Sequence, residues 1–398
     1  MKYTAIIILA ICFAFPSCDS RAIPATDANT PLSYITDLQD HFVPDRRVAR
    51  LDVEASEKNG QWILTGATTL PEAKDSLLSL LTLNNIPFDD QIVVWPESQL
   101  GEKTYAIARH SVANLRSERG HSRELATQVL LGTPLRLMKK EKEWYFVQCP
   151  DGYLAWVHGG ELALKTKTEM DAWKKSNRVV FIGDYDYSYS SVERHSIVGD
   201  LVNGDLLEQA GEENQGFVKV AYPDGRKAYV KADEIQGFNE YLDQHTLNFE
   251  QTLAVAYKQI GKPYLWGGTS PKAMDCSGFT KTVYWQQGLL IPRDASQQVK
   301  AGIAVEYDDQ LNGLEEGDLL FFGRFREDGS EKITHVGLYI GDGRFIHSGS
   351  DNGANKEQSL IPGTLDFAEH RRASLLRARR LTPGGEMVMS VKEHKWYF

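Results

Sequence analysis

One pattern occurs twice in this chain and limits its possible folds more than anything else in it. Glu143-Trp144-Tyr145-Phe146-Val147 runs through Pro150-Asp151-Gly152 into Tyr153-Leu154-Ala155-Trp156-Val157. Later, Phe217-Val218-Lys219-Val220 runs through Tyr222-Pro223-Asp224-Gly225-Arg226 into Ala228-Tyr229-Val230. Each copy is an aromatic strand, a Pro-Asp-Gly turn and a strand ending in Val, the texture of a small barrel of short strands. The repeat predicts two like β-domains, at 104–165 and 178–238. The length of 398 residues agrees, since one domain usually holds about 100–200.

Upstream lies a different unit. Ala49, Leu51, Val53 and Ala55 alternate with polar residues as in a half-buried strand, and Trp62-Ile63-Leu64 reads as a second strand. Pro71 opens a helix with Ala73, Leu77, Leu80 and Leu81 on its apolar face, ending near Asn84-Asn85, and Ile92-Val93-Val94-Trp95 is a closing strand. A small α+β domain is therefore expected over 33–102, with nothing in it that suggests chemistry. Residues 19–32, with two prolines and little apolar content, read as a tether.

The first residues read as an export signal. Lys2 precedes an apolar run from Ala5 to Phe15, too short to span a bilayer comfortably. Phe15-Pro16-Ser17-Cys18 resembles a lipobox, which would make 1–18 a lipoprotein signal and Cys18 the lipidated residue. An ordinary secretory signal cut nearby is the alternative. No later segment is long and apolar enough to cross a membrane. Four cysteines, two of them in the signal region, do not make a disulfide scaffold, so Cys276 is expected as a free thiol. A net charge of -10, from 44 basic and 54 acidic residues, argues against a nucleic-acid partner. The ten histidines show neither an HExxH nor a Cys-His cluster, and no Gly-rich phosphate loop is present, so neither metal nor cofactor is expected.

The chemistry concentrates in 245–382. Phe249, Leu253, Ala256 and Ile260 fall at helical spacing before Gly261. Asp275 is placed to cap a helix that carries Cys276 in its first turn and stops near Gly288. At such a helix end the partial positive charge stabilises a thiolate and is expected to lower the thiol pKa. Lys332 to Ile340 alternates as a strand, Gly341-Asp342-Gly343 is a turn, and Arg344 to Ser348 is the return strand. If those three residues form the loop, His335 stands opposite Gly349 and His347 lies one diagonal step away on the same face. A Cys with two such imidazoles follows the nucleophile, base and orienter logic of hydrolytic triads. The tail, 383–398, carries no assignment.

Asp275-Cys276-Ser277-Gly278-Phe279, Gly317-Asp318-Leu319-Leu320-Phe321-Phe322, His335 to Gly341 and His347-Ser348, in that order, resemble the NlpC/P60 family of cell-wall cysteine peptidases. The likeness spans about 248–381. It implies a papain-like α+β domain with Cys276 as nucleophile and His335 and His347 as its partners. It also implies that Tyr264, with the Cys276 backbone N–H, forms the oxyanion hole. Asn114 to Glu118 and Asp151-Gly152-Tyr153 resemble the first SH3-like domain of a γ-D-glutamyl-L-diamino acid endopeptidase subgroup (dipeptidyl-peptidase VI). That subgroup releases L-Ala-γ-D-Glu from stem peptides with a free N-terminal L-Ala. The resemblance implies that Glu118, Tyr153 and Asp275 hold the substrate ammonium. Ala295 in Arg293-Asp294-Ala295 stands where the family often has a hydroxyl for the D-Glu carboxylate, leaving Ser277 for that contact and Asp294 beside it. Trp266 is either a cover for the pocket or part of the core.

The expected partners are peptidoglycan-derived peptides, in the cell envelope, with a membrane involved only through a lipid anchor. Two other readings stay open: a wall endopeptidase or amidase with an open cleft, and a non-catalytic wall-binding protein.

Overall fold

A computed structural model describes residues 30–351 and 353–398. The signal, Cys18 and the first part of the expected tether lie outside the described residues. The chain divides into two units, one of residues up to 44 with 51–93, the other of 45–50 with 94–398. Among the described residues no helix is long and apolar enough to cross a membrane.

The smaller unit contains the expected β-β-α-β order. Strands Leu51–Lys58, Gln61–Thr68 and Phe88–Val94 form one sheet, with helix Pro71–Leu83 following the second strand. Ala73, Leu77 and Leu81 recur at helical spacing and are fully buried, as are Leu51 and Leu64 of the first two strands. A further helix, Pro31–Phe42, begins where a tether was expected. Thr30 caps it by accepting the Ser33 N–H at 3.2 Å, and Tyr34, Ile35 and Leu38 bury its apolar face. Residues 45–50 belong to the larger unit.

The larger unit bears out the internal repeat at the level of topology. Residues 105–165 form seven strands, 105–108, 112–116, 125–130, 134–141, 144–148, 154–158 and 162–165. Residues 178–237 form another seven, 178–181, 185–189, 197–202, 206–214, 217–221, 227–231 and 235–237. Numbered along the chain, both sheets have the spatial order 7-1-4-5-6-2-3. Their turns match as well. Gly152 N–H donates to the Cys149 carbonyl and Gly225 N–H to that of Tyr222, each at 2.9 Å.

The rest of the unit is α+β. Six antiparallel strands lie in the order 303–305, 375–380, 319–325, 331–339, 344–349, 354–359. Helix Cys276–Trp285 packs on this sheet, with Phe279 and Val283 fully buried against Phe321, Val336 and Ile346. Helix Phe249–Lys258 ends just short of Gly261, whose φ is 81°. The tail is part of the fold. Met389–Ser390 pairs with Leu289–Leu290, and Val391 and Tyr397 are buried among Phe238, Tyr241 and Leu290. The expected end of the domain at 382 is therefore too early.

Candidate active site

Asp275 caps the helix as its position predicts, accepting the Gly278 N–H at 2.7 Å. Its carboxylate also forms a buried pair with Arg293, at 2.6 Å between Nη2 and Oδ2, and accepts from Gly267 N–H at 3.0 Å. Ser277 Oγ donates to it at 3.2 Å and accepts from Arg293 Nη1 at 2.9 Å. Both oxygens are thus engaged within the protein, and Asp275 serves as cap and counter-ion. The loop before it comes close to the first sheet at Gly267. There φ is 79° and a Cβ would stand 2.0 Å from the Leu125 carbonyl, so only glycine fits. Arg293 Nε on Thr127 Oγ1 (3.1 Å) and Lys281 on Asp151 (2.6 Å) fasten the same sheet to the helix.

The hairpin carrying the histidines has the expected loop. Leu338 pairs with Ile346 and Tyr339 with Phe345 on either side of it. Nε2 of His335 lies 2.9 Å from Nδ1 of His347, and Nε2 of His347 lies 2.7 Å from Oε1 of Gln358. Both imidazoles are buried. Gly337 sits between them in sequence, where a Cβ would meet the Phe345 ring at 2.8 Å and His347 Cβ at 3.3 Å. The helix and hairpin meet at the sulfur, since the backbone of Val336, next to His335, is hydrogen-bonded to Cys276. Gln358, in the neighbouring strand, was not among the residues expected.

A cleft of about 520 Å³ brings together Cys276, Ser277, Asp275, Tyr153, Asp294 and Trp266. Tyr153 is buried, and its hydroxyl donates to Asp294 Oδ2 at 3.3 Å. Trp266 is 63% exposed and donates from Nε1 to Glu124 at 2.7 Å, which makes it a rim residue and not core. Tyr264 is half-buried, close enough to Cys276 and Asp275 for their charges to act on it. Glu118 lies in the loop between strands 112–116 and 125–130. It pairs with Arg123 at 3.4 Å, its side chain is 66% exposed, and it is not among the residues lining the cleft. Glu124, from the far end of the same loop, lines it instead. Arg47, from the segment before the first strand, also lines it and pairs with Asp294 at 2.7 Å, a contact no local pattern announced.

The electrostatics correct another expectation. Burial, with Asp275 alongside, pushes the Cys276 thiol up to about 12, against help from the Val336 backbone, Arg293 and the Ser277 backbone. Burial likewise drives His335 well below 6.5, helped by His347, and lowers His347 to about 4. Desolvation outweighs the helix end, so thiol and imidazoles rest in their neutral forms. Burial also raises Tyr264 to about 12, which keeps its hydroxyl a donor.

The sequence pattern of the NlpC/P60 family matches residues 261–362, and that of a bacterial dipeptidyl-peptidase SH3 domain matches 115–162. A γ-D-glutamyl-L-lysine dipeptidyl-peptidase of Bacillus subtilis is 33% identical over 235 residues, 56% of this chain and 72% of that protein. A Bacillus cereus protein of the same name is 28% identical over 256 residues, 61% of this chain and 72% of that one. The crystal structure of an NlpC/P60 family protein from Bacillus cereus superposes with a TM-score of 0.58 at 25% identity, covering 70% of this chain and all of that one. With a buried cysteine, a coupled histidine pair and these relatives, the chain belongs to the NlpC/P60 family and is a cysteine peptidase.

Proposed function

We propose that this peptidase hydrolyses the γ-D-Glu–diamino acid bond of peptidoglycan stem peptides that have a free N-terminal L-Ala, releasing L-Ala-γ-D-Glu. The observation that carries the reading is the placement of the Tyr153–Asp294 pair in the same cleft as Cys276. An α-amino group with a pKa of about 8 is largely cationic at neutral pH. Asp294, the Tyr153 hydroxyl and Glu124 offer it charge-assisted hydrogen bonds. An acylated or sugar-linked L-Ala carries no charge and would forgo those bonds, at a cost of about 1–3 kcal/mol.

Cys276 is the nucleophile. Its sulfur attacks the γ-carbonyl carbon as its proton passes to His335. Gln358 Oε1 can only accept, so His347 carries its proton on Nε2 and presents a bare Nδ1 to His335 Nε2–H. The lone pair of His335 is then on Nδ1, the one nitrogen left to act as base. The Cys276 backbone N–H and the Tyr264 hydroxyl stabilise the oxyanion. Collapse breaks the C–N bond, His335 protonates the leaving amine, and a thioester remains. Water, deprotonated by His335, cleaves the thioester and restores the thiol. Ser277 offers a hydroxyl for the D-Glu α-carboxylate, since position 295 is alanine.

The second seven-stranded sheet, with the strand order of the first, supports a second SH3-like domain at 178–238. The Lys2 and Ala5–Phe15 pattern supports export, with lipid on Cys18; intact-mass comparison of Cys18→Ser with the parent tests that anchor.

The deciding experiment is mass spectrometry of products from paired stem peptides, one with free and one with N-acetylated L-Ala. Preferential cleavage of the free peptide supports the reading. Equal rates on both would favour an open-cleft endopeptidase, and cutting a muramyl peptide run alongside at its muramyl–L-Ala amide would make the enzyme an amidase.

A further inference from the structure

Arg47 comes from the six-residue segment 45–50, which lies outside both matched regions, 115–162 and 261–362. That segment is tied to the first seven-stranded sheet. Leu154 N–H donates to the Arg47 carbonyl at 2.7 Å, and the Gln148 side chain donates to the Val48 carbonyl at 3.4 Å. The guanidinium is held from two sides. Its Nε and Nη2 donate to the two oxygens of Asp45 at 2.8 and 2.7 Å. Its Nη1 donates to Asp294 Oδ2 at 2.7 Å and to Ser296 Oγ at 2.9 Å. Asp45 is fixed in turn by Gln297 Nε2 at 2.7 Å.

A fork-shaped pair with a carboxylate sets orientation as well as charge. Asp45 therefore aims Arg47, and Arg47 fixes one oxygen of Asp294. The other, Oδ1, stands 4.0 Å from the Arg293 guanidinium and takes no bond from Arg47. Asp45, Asp294 and Asp275 against Arg47 and Arg293 sum to one negative charge, so the cluster still attracts a cation.

We propose that Arg47 is a positioning residue of the substrate-ammonium subsite, clamping, together with the Tyr153 hydroxyl, Asp294 Oδ2 so that Oδ1 receives the α-ammonium. The inference rests on the subsite proposed above and adds a residue from outside both matched domains to it. A rival arrangement has Arg47 as a built-in cation that substrate must displace. The two predict opposite changes on removing it.

The test measures kcat and KM of the parent, Arg47→Gln, Arg47→Lys and Asp45→Asn on free and N-acetylated L-Ala-γ-D-Glu-diamino acid. Active enzyme is counted by alkylation of Cys276. For Arg47→Gln, KM on the free peptide should rise roughly tenfold, the effect of one misaligned charge-assisted bond, with kcat within about twofold. The preference for free over acetylated peptide should shrink by the same factor. Lysine, which keeps the charge and loses the fork, should recover only part of it. Asp45→Asn, which touches Arg47 and not Asp294, should raise KM by a smaller factor. A purely structural role would lower the count of active enzyme and leave KM alone, and that result overturns the proposal. A lowered KM in Arg47→Gln overturns it in favour of the displaced cation. If the parent is selective and Arg47→Gln is unchanged, only this inference falls. If the parent cuts both peptides alike, the subsite and the inference fall together.

Discussion

Nε2 of His335 stands 2.9 Å from Nδ1 of His347, so the two imidazoles share one proton position and their tautomers are linked. Gln358 sets that linkage from outside by accepting from His347 Nε2 at 2.7 Å. Replacing His347 by alanine should cost roughly 10²- to 10⁴-fold in kcat with little change in KM, the range expected when a base loses its orienting partner. Gln358→Leu should cost less, about 10- to 100-fold, because it frees the tautomer without removing the ring. Single-turnover rates on a fixed peptide check both. A His347→Ala enzyme within a few-fold of the parent would remove His347 from the mechanism.

The pH profile should have limbs from two different molecules. Burial holds His335 well below 6.5 and His347 to about 4, so the acid limb of kcat/KM should fall below pH 6.5. The thiol, at about 12, does not titrate in the working range. The basic limb should therefore come from the substrate ammonium, at about pH 8, and vanish for the N-acetylated peptide. Stability follows the same sign. The unfolded chain binds more protons than the folded one as pH drops from 6.5 towards 4, so Tm should fall across that window. An acid limb above pH 6.5 would contradict the neutral resting pair.

What could be read from the sequence was local. The Asp275 cap, the Gly341-Asp342-Gly343 loop and the diagonal approach of His335 and His347 follow from residues adjacent in the chain or across one turn. Asn59-Gly60 was an equally local signal that went unused; both residues have positive φ and join Lys58 to Gln61 in a two-residue hairpin. Glu118 and Glu124 could not be told apart, because only the fold of their loop decides which carboxylate reaches the cleft. Arg47 joins Asp294 across 247 positions, beyond the reach of any periodicity. The thiol pKa departs from what its helix end alone implies for a related reason. A helix end can be seen in sequence, whereas the layers that desolvate Cys276 come from other elements.

Arg293 and Asp275 form a buried ion pair at 2.6 Å, their side chains 1% and 9% exposed. Removing one partner strands the other. Arg293→Leu should destabilise the peptidase unit by about 3–5 kcal/mol, the usual cost of an uncompensated buried charge. Asp275→Asn/Arg293→Leu should recover part of that loss, since no bare carboxylate remains. Urea unfolding followed by tryptophan fluorescence measures both. A double variant no more stable than the single would show that the charge is not the main cost.

The tail should matter for stability and not for catalysis. Tyr397 is 1% exposed and shares a core with Ile107 and Leu206 of the two seven-stranded sheets and with Leu290 of the peptidase region. Phe398 stacks on Phe238 at 5.7 Å between ring centres. Tyr397→Ala removes the side chain where three parts of the unit meet, and the cavity left should cost about 3–5 kcal/mol. Neither Tyr397 nor Phe398 lines the cleft that holds Cys276, so kcat and KM well below the unfolding temperature should stay at parental values. Calorimetry beside steady-state kinetics tests both halves. A parental Tm would mean the tail is not part of the core, and a changed KM with parental Tm would give it a role in the cleft.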